Sequence, residues 1–328
     1  MILFRTRSIF INTGKIIARA KGRVIDINSL IVYLINAIVS IVKDYPLTII
    51  LVTLLFKLIL MPFDIFQKKN ARKTAALQYE VASIKKRYKD PQVANKKVQE
   101  LYREKGVSTF AGCLPLALTF VLLISFYGAL RTIVAEQTSA LVLKISAYGA
   151  ENVELPKWLW INNFWQPDSG FSTPIATVEE FLKFLRQNIA SVSPESLMML
   201  KNSGILQKSD GALIIAENTY NALRTSVLDY NNLNGIANGW FGLPIITGLT
   251  TFLQTKLSMK GQPNQDSNDQ LAATNSTMLY FMPIFSAYMC LSSNSGFAVY
   301  WAVSNIYSII FTLIINAVYN IKDKKAAV

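Results

Sequence analysis

Residues 270–321, QLAATNSTMLYFMPIFSAYMCLSSNSGFAVYWAVSNIYSIIFTLIINAVYNI, form an uninterrupted stretch of 52 residues without Asp, Glu, Lys or Arg. A bilayer core of about 30 Å requires about 20 apolar residues in a helix, because the backbone must satisfy its own hydrogen bonds there. The stretch is therefore long enough for two membrane-spanning helices, and the polar residues from Ser292 to Gly296 indicate a turn between them. A soluble protein with buried helices is a poor alternative, because a segment this long without charge is difficult to fold in water.

Three more runs of low charge precede this stretch. Residues 107–130 and 230–255 are 24 and 26 residues long without a charge, and the 19 residues of 45–63 contain only Lys57. These runs predict an all-α polytopic membrane protein with five transmembrane helices. The predicted spans lie at about 46–63, 110–131, 238–257, 277–292 and 297–318.

The distribution of basic residues predicts the orientation of these spans. The whole chain has a net charge of +13, and residues 64–105 hold twelve Lys or Arg against five acidic residues. Because basic loops stay in the cytoplasm, this loop and the Lys-rich tail are expected on the cytoplasmic side. The predicted segments are 1–44 (basic N-terminal arm and interfacial amphipathic helix), 45–65 (first span), 66–106 (cytoplasmic basic helical hairpin), 107–134 (second span), 135–237 (extracytoplasmic, with a helical insertion at about 170–235), 238–257 (third span), 258–276 (cytoplasmic loop), 277–318 (fourth and fifth spans) and 319–328 (cytoplasmic tail).

The N-terminal region leaves two interpretations open. Residues 28–42 carry no charge, but 15 residues are short for a span. An interfacial helix on the outer leaflet would leave the basic arm outside, whereas an uncleaved signal-like segment would hold it inside.

Local motifs predict helices in the segments between the spans. Asp90-Pro91 indicates the break between the two arms of the basic hairpin. In the insertion, Thr177 and Glu180 have the spacing of a capping box, Ser193-Pro194 starts a second helix, and residues 216–228 suit a third. None of these segments contains a catalytic constellation.

Composition excludes several kinds of chemistry. The chain has no histidine, so histidine-based catalysis and histidine-ligated metal sites are absent. Its only cysteines, Cys113 and Cys290, have neither zinc spacing nor the pattern of a disulfide framework. The basic hairpin lacks an aromatic or base-reading motif for nucleic acid, and its charge suits anionic lipid or acidic polypeptide segments better. We expect no enzyme activity, cofactor or metal, and no binding to a specific nucleic acid sequence.

Lys57 is the most informative residue, because it is the one charge inside a predicted span. It follows Pro46 by 11 residues, which places it about 17 Å along a helix and close to the middle of the membrane. A lysine there costs about 2.5–3.5 kcal/mol on insertion scales, unless its side chain reaches an interface or a water-filled cavity. No Asp or Glu lies inside a predicted span, which argues against an ion-coupled transporter.

The remaining polar residues of the spans are less specific. Thr53, Gln254 and Asn305 are each more typical of contacts between membrane helices than of a site, and the same holds for Trp301.

An ordered series of motifs resembles the YidC/Oxa/Alb family of membrane protein insertases. The segment 46–62, PLTIILVTLLFKLILMP, is similar to the first conserved span of that family, and 101–107, LYREKGV, to the end of its basic hairpin. Five further segments fit in the same order, and the resemblance runs from about residue 29 to 318, with the insertion as its interruption. They are 112–116 (GCLPL), 158–168 (WLWINNFWQPD), 251–258 (TFLQTKLS), 280–283 (YFMP) and 296–305 (GFAVYWAVSN).

The resemblance implies a function without bond-making chemistry. In the family, five spans surround a hydrophilic groove that is open to the cytoplasm and to lipid, and a groove arginine attracts polar or acidic residues of the incoming chain. Lys57 stands at the arginine position, which keeps the charge but loses the five-donor fork. By the same resemblance, Gln254 and Trp301 match groove positions in Gram-positive members, and Thr53 and Asn305 are assigned to the groove with them. A second departure is Asn294-Ser295-Gly296, where the family often has Pro-Ala-Gly.

The expected protein is therefore an insertase and folding chaperone of the bacterial cell membrane, working alone or with the Sec translocon. Its expected partners are nascent membrane proteins and anionic lipid, with contacts to the Sec translocon and the ribosome left open. Two alternatives are a small-solute channel or secondary transporter, and a structural membrane subunit. Reconstitution with a single-span substrate separates them, because only the insertase would integrate it.

Overall fold

The computed structural model describes residues 19–20, 23–24, 27–107, 114–209, 212–259 and 270–326, and these are mostly helical. The helices are α1 (Ile27–Val42), α2 (Tyr45–Ala76), α3 (Gln78–Arg87), α4 (Pro91–Glu104), α5 (Leu114–Tyr148), α6 (Val178–Asn188), α7 (Pro194–Asn202), α8 (Glu217–Tyr230), α9 (Gly242–Met259), α10 (Gln270–Ser292) and α11 (Ser295–Ala326). Two antiparallel hairpins pair β1 (Arg19–Ala20) with β2 (Arg23–Val24) and β3 (Leu206–Ser209) with β4 (Ala212–Ile215). Single 3-10 turns lie at Ala150–Asn152 and Ile189–Ser191.

Helices occupy all five predicted spans, and three of them are long and apolar enough to cross a membrane. These are Tyr45–Ala76, Phe120–Tyr148 and Ser295–Ile321. α9 is 18 residues long and carries Gln254 and Lys256, which lower its hydropathy. The apolar part of α10 whose side chains are described is Met278–Ser292. The all-α polytopic class is confirmed, whereas the number of five spans stays a prediction.

The described chain divides into two compact units. The first unit contains Met1–Val52, Ile124–Thr247 and Phe285–Ala302, and the second contains Thr53–Leu123, Gly248–Ile284 and Val303–Val328. Most of the predicted basic arm at the start of segment 1–44, including residues 1–18, and most of the predicted loop 258–276 lie outside the described residues. The side of the membrane on which α1 lies stays a prediction.

α2 is longer than the span predicted at 45–65, because it continues without a break to Ala76. Residues 64–76 (DIFQKKNARKTAA) contain no Gly or Pro, and most of them are good helix formers. The hairpin arms are therefore α3 and α4 alone. Asp90 caps α4 by accepting a hydrogen bond from the Gln92 amide at 2.8 Å, and Pro91 is the first helical residue, as the predicted break requires.

α5 is also longer than predicted, continuing past 134 to Tyr148. Gly149, with φ of +81°, ends it in a conformation that favours glycine. The extra turns carry Ala135 and Val142, which are buried in an apolar core with residues of the insertion. The end of α5 is thus the base on which the insertion packs.

The insertion, expected to be helical, also contains the β3–β4 hairpin. We call residues 176–230 the small domain; its core joins α6, α7, α8 and this hairpin through buried Phe181, Leu200 and Tyr220. Asp210-Gly211 between the strand sequences is typical of a tight hairpin and was the missed signal. The three predicted helix starts are confirmed, and the Thr177–Glu180 capping box is complete. Burial raises the pKa of Tyr220, which therefore stays a neutral donor to the Ala176 carbonyl.

A second structural feature of the first unit fastens the Trp-rich loop, residues 158–176, to the start of α9. Asp168 is 1% exposed, and its Oδ2 accepts hydrogen bonds from Trp160 Nε1 at 2.9 Å and from the Leu243 amide at 2.6 Å. Asn238 adds bonds to the carbonyls of Asn163 and Pro167. We call these contacts the Asp168 clasp. Gly239 is part of it, because a Cβ there would overlap Asp168 Oδ1.

We expect Gly239→Ala to break the Asp168 clasp and to destabilise the protein by about 2 kcal/mol, as steric conflicts in a packed site commonly do. Thermal unfolding of the full chain in detergent, combined with proteolysis of the Trp-rich loop, measures the effect. Asp168→Ala removes the overlapping oxygen, so adding Gly239→Ala to it should cost far less than in the wild-type background. An additive double variant would contradict this account.

Candidate functional site

Helix α2, most of which lies in the second unit, carries half-buried charged side chains next to exposed apolar ones, and its exposed charged side chains are Lys69 and Lys73 near its end. Along α2, Lys57, Asp64, Gln67, Lys68 and Arg72 are all half-buried and recur at helical spacing. We call these five residues the polar stripe. Other side chains of these turns are exposed and apolar, namely Leu58, Ile59, Met61, Phe63, Ile65 and Phe66. In a bilayer, the exposed apolar face suits lipid, whereas the polar stripe requires polar surroundings.

Lys57 lies at the membrane end of the polar stripe and contacts α11. Its Nζ donates a hydrogen bond to Ser308 Oγ at 3.3 Å and lies 5.9 Å from the centroid of the Tyr307 ring. Ser308 Oγ in turn donates to the Ser304 carbonyl at 2.9 Å. The ammonium therefore has a neutral hydroxyl and an aromatic face as neighbours, both weaker partners than a carboxylate.

Asp64 is the carboxylate that sequence reasoning had placed outside the span. It lies seven residues after Lys57 and four before Lys68 on the same continuous helix, and it interacts electrostatically with both lysines. In the part of the chain that the structure describes, Asp64 forms no direct ion pair. The prediction that no carboxylate lies inside the span at 46–63 is unchanged, but Asp64 follows that span directly on the same helix. The 57–64–68 spacing was the signal, but it becomes visible only when α2 is continued past residue 65.

Tyr307 is a second residue that sequence reasoning missed. Its ring stacks on Phe311 with a centroid distance of 6.1 Å. Its Oη is buried, and among the described residues it has no hydrogen-bond partner. A buried hydroxyl beside Lys57 is therefore able to bond to a further polar group.

Two of the predicted groove residues, Asn305 and Thr53, are packed inside the second unit. Asn305 is 6% exposed, and its Nδ2 donates to Thr251 Oγ1 at 2.8 Å and to Thr250 Oγ1 at 3.2 Å. Thr53 is fully buried. Asn305 thus ties α11 to α9, three residues before Ser308 ties α11 to α2.

The remaining two predicted residues differ in their surroundings. Gln254 is half-buried on α9, on the face that carries Thr250 and Thr251, and it makes no hydrogen bond to the described part of the chain. Trp301 belongs to the first unit, where it is buried with ring contacts to Phe297 at 5.5 Å and to Phe285 at 6.4 Å. The structure thus places Lys57, Thr53, Gln254 and Asn305 in one unit and Trp301 in the other.

The polar stripe can attract a charged polypeptide segment electrostatically without forming a covalent bond to it. Within the described ranges, no group of three or more His, Cys, Asp or Glu is arranged to hold a metal ion. The polar stripe has three cations: Lys57 contacts Ser308 and the Tyr307 ring, Arg72 lies 4.2 Å from the Tyr319 ring centroid, and Lys68 interacts electrostatically with Asp64. An anionic segment beside this stripe would meet positive charge in a low-dielectric setting, where electrostatic attraction is stronger than in water.

Comparison with known proteins identifies the family. The family model described as 60Kd inner membrane protein matches residues 37–324. The membrane protein insertase YidC of Oceanobacillus iheyensis is 25% identical over 299 residues, which cover 88% of this chain and 83% of that protein. YidC 2 of Listeria innocua is 24% identical over 87% of this chain and 68% of its own length. YidC of Francisella philomiragia is 25% identical over 91% of this chain but 37% of its own length. Because the family model matches most of its length, the chain belongs to the 60Kd inner membrane protein (YidC/Oxa) family.

Proposed function

We propose that this protein is a membrane protein insertase and folding chaperone, and that the polar stripe of α2 is where it attracts its substrates. The observation that carries the proposal is the arrangement of α2 before Lys69, where the charged side chains Lys57, Asp64 and Lys68 are half-buried and many apolar side chains are exposed. The family and the names of the relatives support it. In a multi-pass protein of the bacterial cell membrane, half-buried charges next to exposed apolar side chains suit a hydrated path that borders on lipid.

In the proposed mechanism, the protein attracts polar residues of the substrate electrostatically and shortens the apolar part of the membrane that these residues must cross. Acidic or polar residues of a nascent chain are drawn to Lys57, while its apolar segment moves along the exposed face of α2 into lipid. At an effective dielectric constant of about 20, a carboxylate at 4 Å from an ammonium gains about 4 kcal/mol, which is comparable to the cost of placing one charge in the bilayer centre. No nucleotide and no covalent intermediate are needed.

The partners of the protein form a second part of the proposal. Nascent membrane proteins are the substrates, and the exposed cations of α3 and α4 suit anionic lipid headgroups. Contacts with the Sec translocon and the ribosome belong to the same proposal, supported by the net charge of the hairpin.

The alternative of a small-solute channel or secondary transporter is not favoured by the names of the relatives. Asp64 weakens one argument against it, because a carboxylate does lie on the same helix face as Lys57. Proteoliposomes that integrate a single-span substrate without solute flux would support the insertase, and flux without integration would support a transporter.

We expect Lys57→Ala to slow insertion of a single-span substrate with an acidic translocated tail about tenfold, which corresponds to 1.4 kcal/mol. The same substrate with Asn and Gln in the tail should be affected little. Lys57→Arg should retain most of the activity, because it keeps the charge. Protease protection in proteoliposomes measures both substrates.

The exposed lysine of α5, Lys144, provides the matched control for this experiment. Lys144→Ala removes one charge outside the polar stripe and should insert both substrates at the wild-type rate. If Lys57→Ala inserts the acidic and the neutral substrate equally well, the role of Lys57 in attracting substrate is wrong.

We expect Asn305 to act in helix packing, because its amide is already bonded to Thr250 and Thr251. Asn305→Ala should lower the stability by about 1 kcal/mol, the usual scale of such bonds between membrane helices. The ratio of acidic to neutral substrate insertion should not change. Asn320→Ala, at an exposed position of the same helix, is the control for thermal unfolding. A changed ratio at wild-type stability would instead make Asn305 a substrate contact.

A further inference from the structure

The polar stripe contains one acidic residue among three cations, and its position is unusual. Asp64 is the only Asp or Glu in α2, and it stands between Lys57 and Lys68 on the half-buried face. A carboxylate there bears a cost of desolvation that an apolar residue on the same face would avoid. It interacts electrostatically with Lys57, Lys68 and Tyr307.

Among the residues that the structure describes, Lys57 has no direct anionic partner. Its hydrogen bond goes to the neutral Ser308 hydroxyl at 3.3 Å, and Asp64 lies about 10.5 Å further along the helix axis, given a rise of 1.5 Å per residue over seven residues. At that distance the carboxylate reduces the positive potential around the ammonium without occupying the position of a bound anion. Lys57 is thus partly neutralised but still open to an incoming carboxylate.

We propose that Asp64 sets the charge selectivity of the polar stripe by competing with the acidic residues of the substrate. This inference rests on the proposed insertase function and names a specificity-determining residue within it. With Asp64 present, a substrate's carboxylates gain less from Lys57, because Asp64 lowers the positive potential there without occupying the position of the bound anion. The same carboxylate offers a partner to Lys or Arg in a substrate tail, so the stripe tolerates tails of mixed charge.

The test measures initial insertion rates in proteoliposomes for one single-span substrate with an acidic, a neutral or a basic tail. Asp64→Asn should speed the acidic tail up to about tenfold and slow the basic tail by a similar factor, the scale of one charge at this distance. Asp64→Glu should behave like the wild type. Glu104→Gln, an equal change of charge at an exposed hairpin position, should alter none of the three rates.

A second variant keeps the test decisive if Asp64→Asn fails to fold. Gln67→Asp adds a carboxylate to the polar stripe without changing Asp64, and it should slow the acidic tail and speed the basic one. The double variant Lys57→Ala with Asp64→Asn should show a smaller effect on the acidic tail than Asp64→Asn alone, because the competition is for Lys57.

The possible outcomes separate this inference from the proposed function. If Asp64→Asn and Gln67→Asp leave the acidic-to-basic ratio unchanged while Lys57→Ala slows the acidic tail, the inference is wrong and the insertase function stands. An Asp64→Asn variant that slows the acidic tail also overturns the inference, because Asp64 would then assist Lys57. If Lys57→Ala affects no substrate, the proposed role of the stripe itself fails.

Discussion

A half-buried ammonium in an apolar helix is the constraint around which the second unit is organised. Lys57 cannot be left unsolvated in the bilayer, and in the structure it contacts the Ser308 hydroxyl and the Tyr307 ring, while the rest of the polar stripe continues along α2 to Arg72. The exposed face of the same turns is apolar. The need to solvate the Lys57 ammonium therefore explains why charged side chains of α2 are half-buried while apolar ones are exposed.

α11 is the element that connects this charge to the rest of the unit. Within four residues it bonds to α9 through Asn305 and to α2 through Ser308. The first of these contacts joins Asn305 to two threonine hydroxyls, whereas the second joins the Lys57 ammonium to the Ser308 hydroxyl near the Tyr307 ring. One helix thus makes a contact between neutral groups and a contact with a charged group within four residues.

The sequence predicted the fold class and the helix starts because both depend on local patterns. Runs of low charge predicted the apolar helices, and Asp90-Pro91, Thr177 and Ser193-Pro194 predicted helix caps that the structure confirms. Helix ends were predicted less well. α2 and α5 continue past the predicted ends, because the residues that follow those ends contain no Gly or Pro, and a fall in hydropathy alone does not stop a helix. The β3–β4 hairpin was missed, since strands of four residues give little periodicity.

Because the end of α2 was predicted too early, part of the candidate site was also missed. Lys57 could be identified from the sequence alone, because it is a single charged residue within an apolar run. Asp64 was assigned to a loop, and its relation to Lys57 depends on the uninterrupted helix. Ser308 and Tyr307 lie about 250 positions away in sequence, so only the packing of α11 on α2 brings them to Lys57. The groove role of Gln254, Trp301 and Thr53 stays a prediction.

The length of α5 has a mechanical consequence. Its 35 residues form a rod of about 52 Å, with the core of the small domain built directly on its last turns through Ala135 and Val142. No flexible joint lies between that core and the apolar turns before it. A force that tilts or twists the small domain is therefore transmitted as torque to a membrane helix, whereas a domain attached through a linker would absorb it.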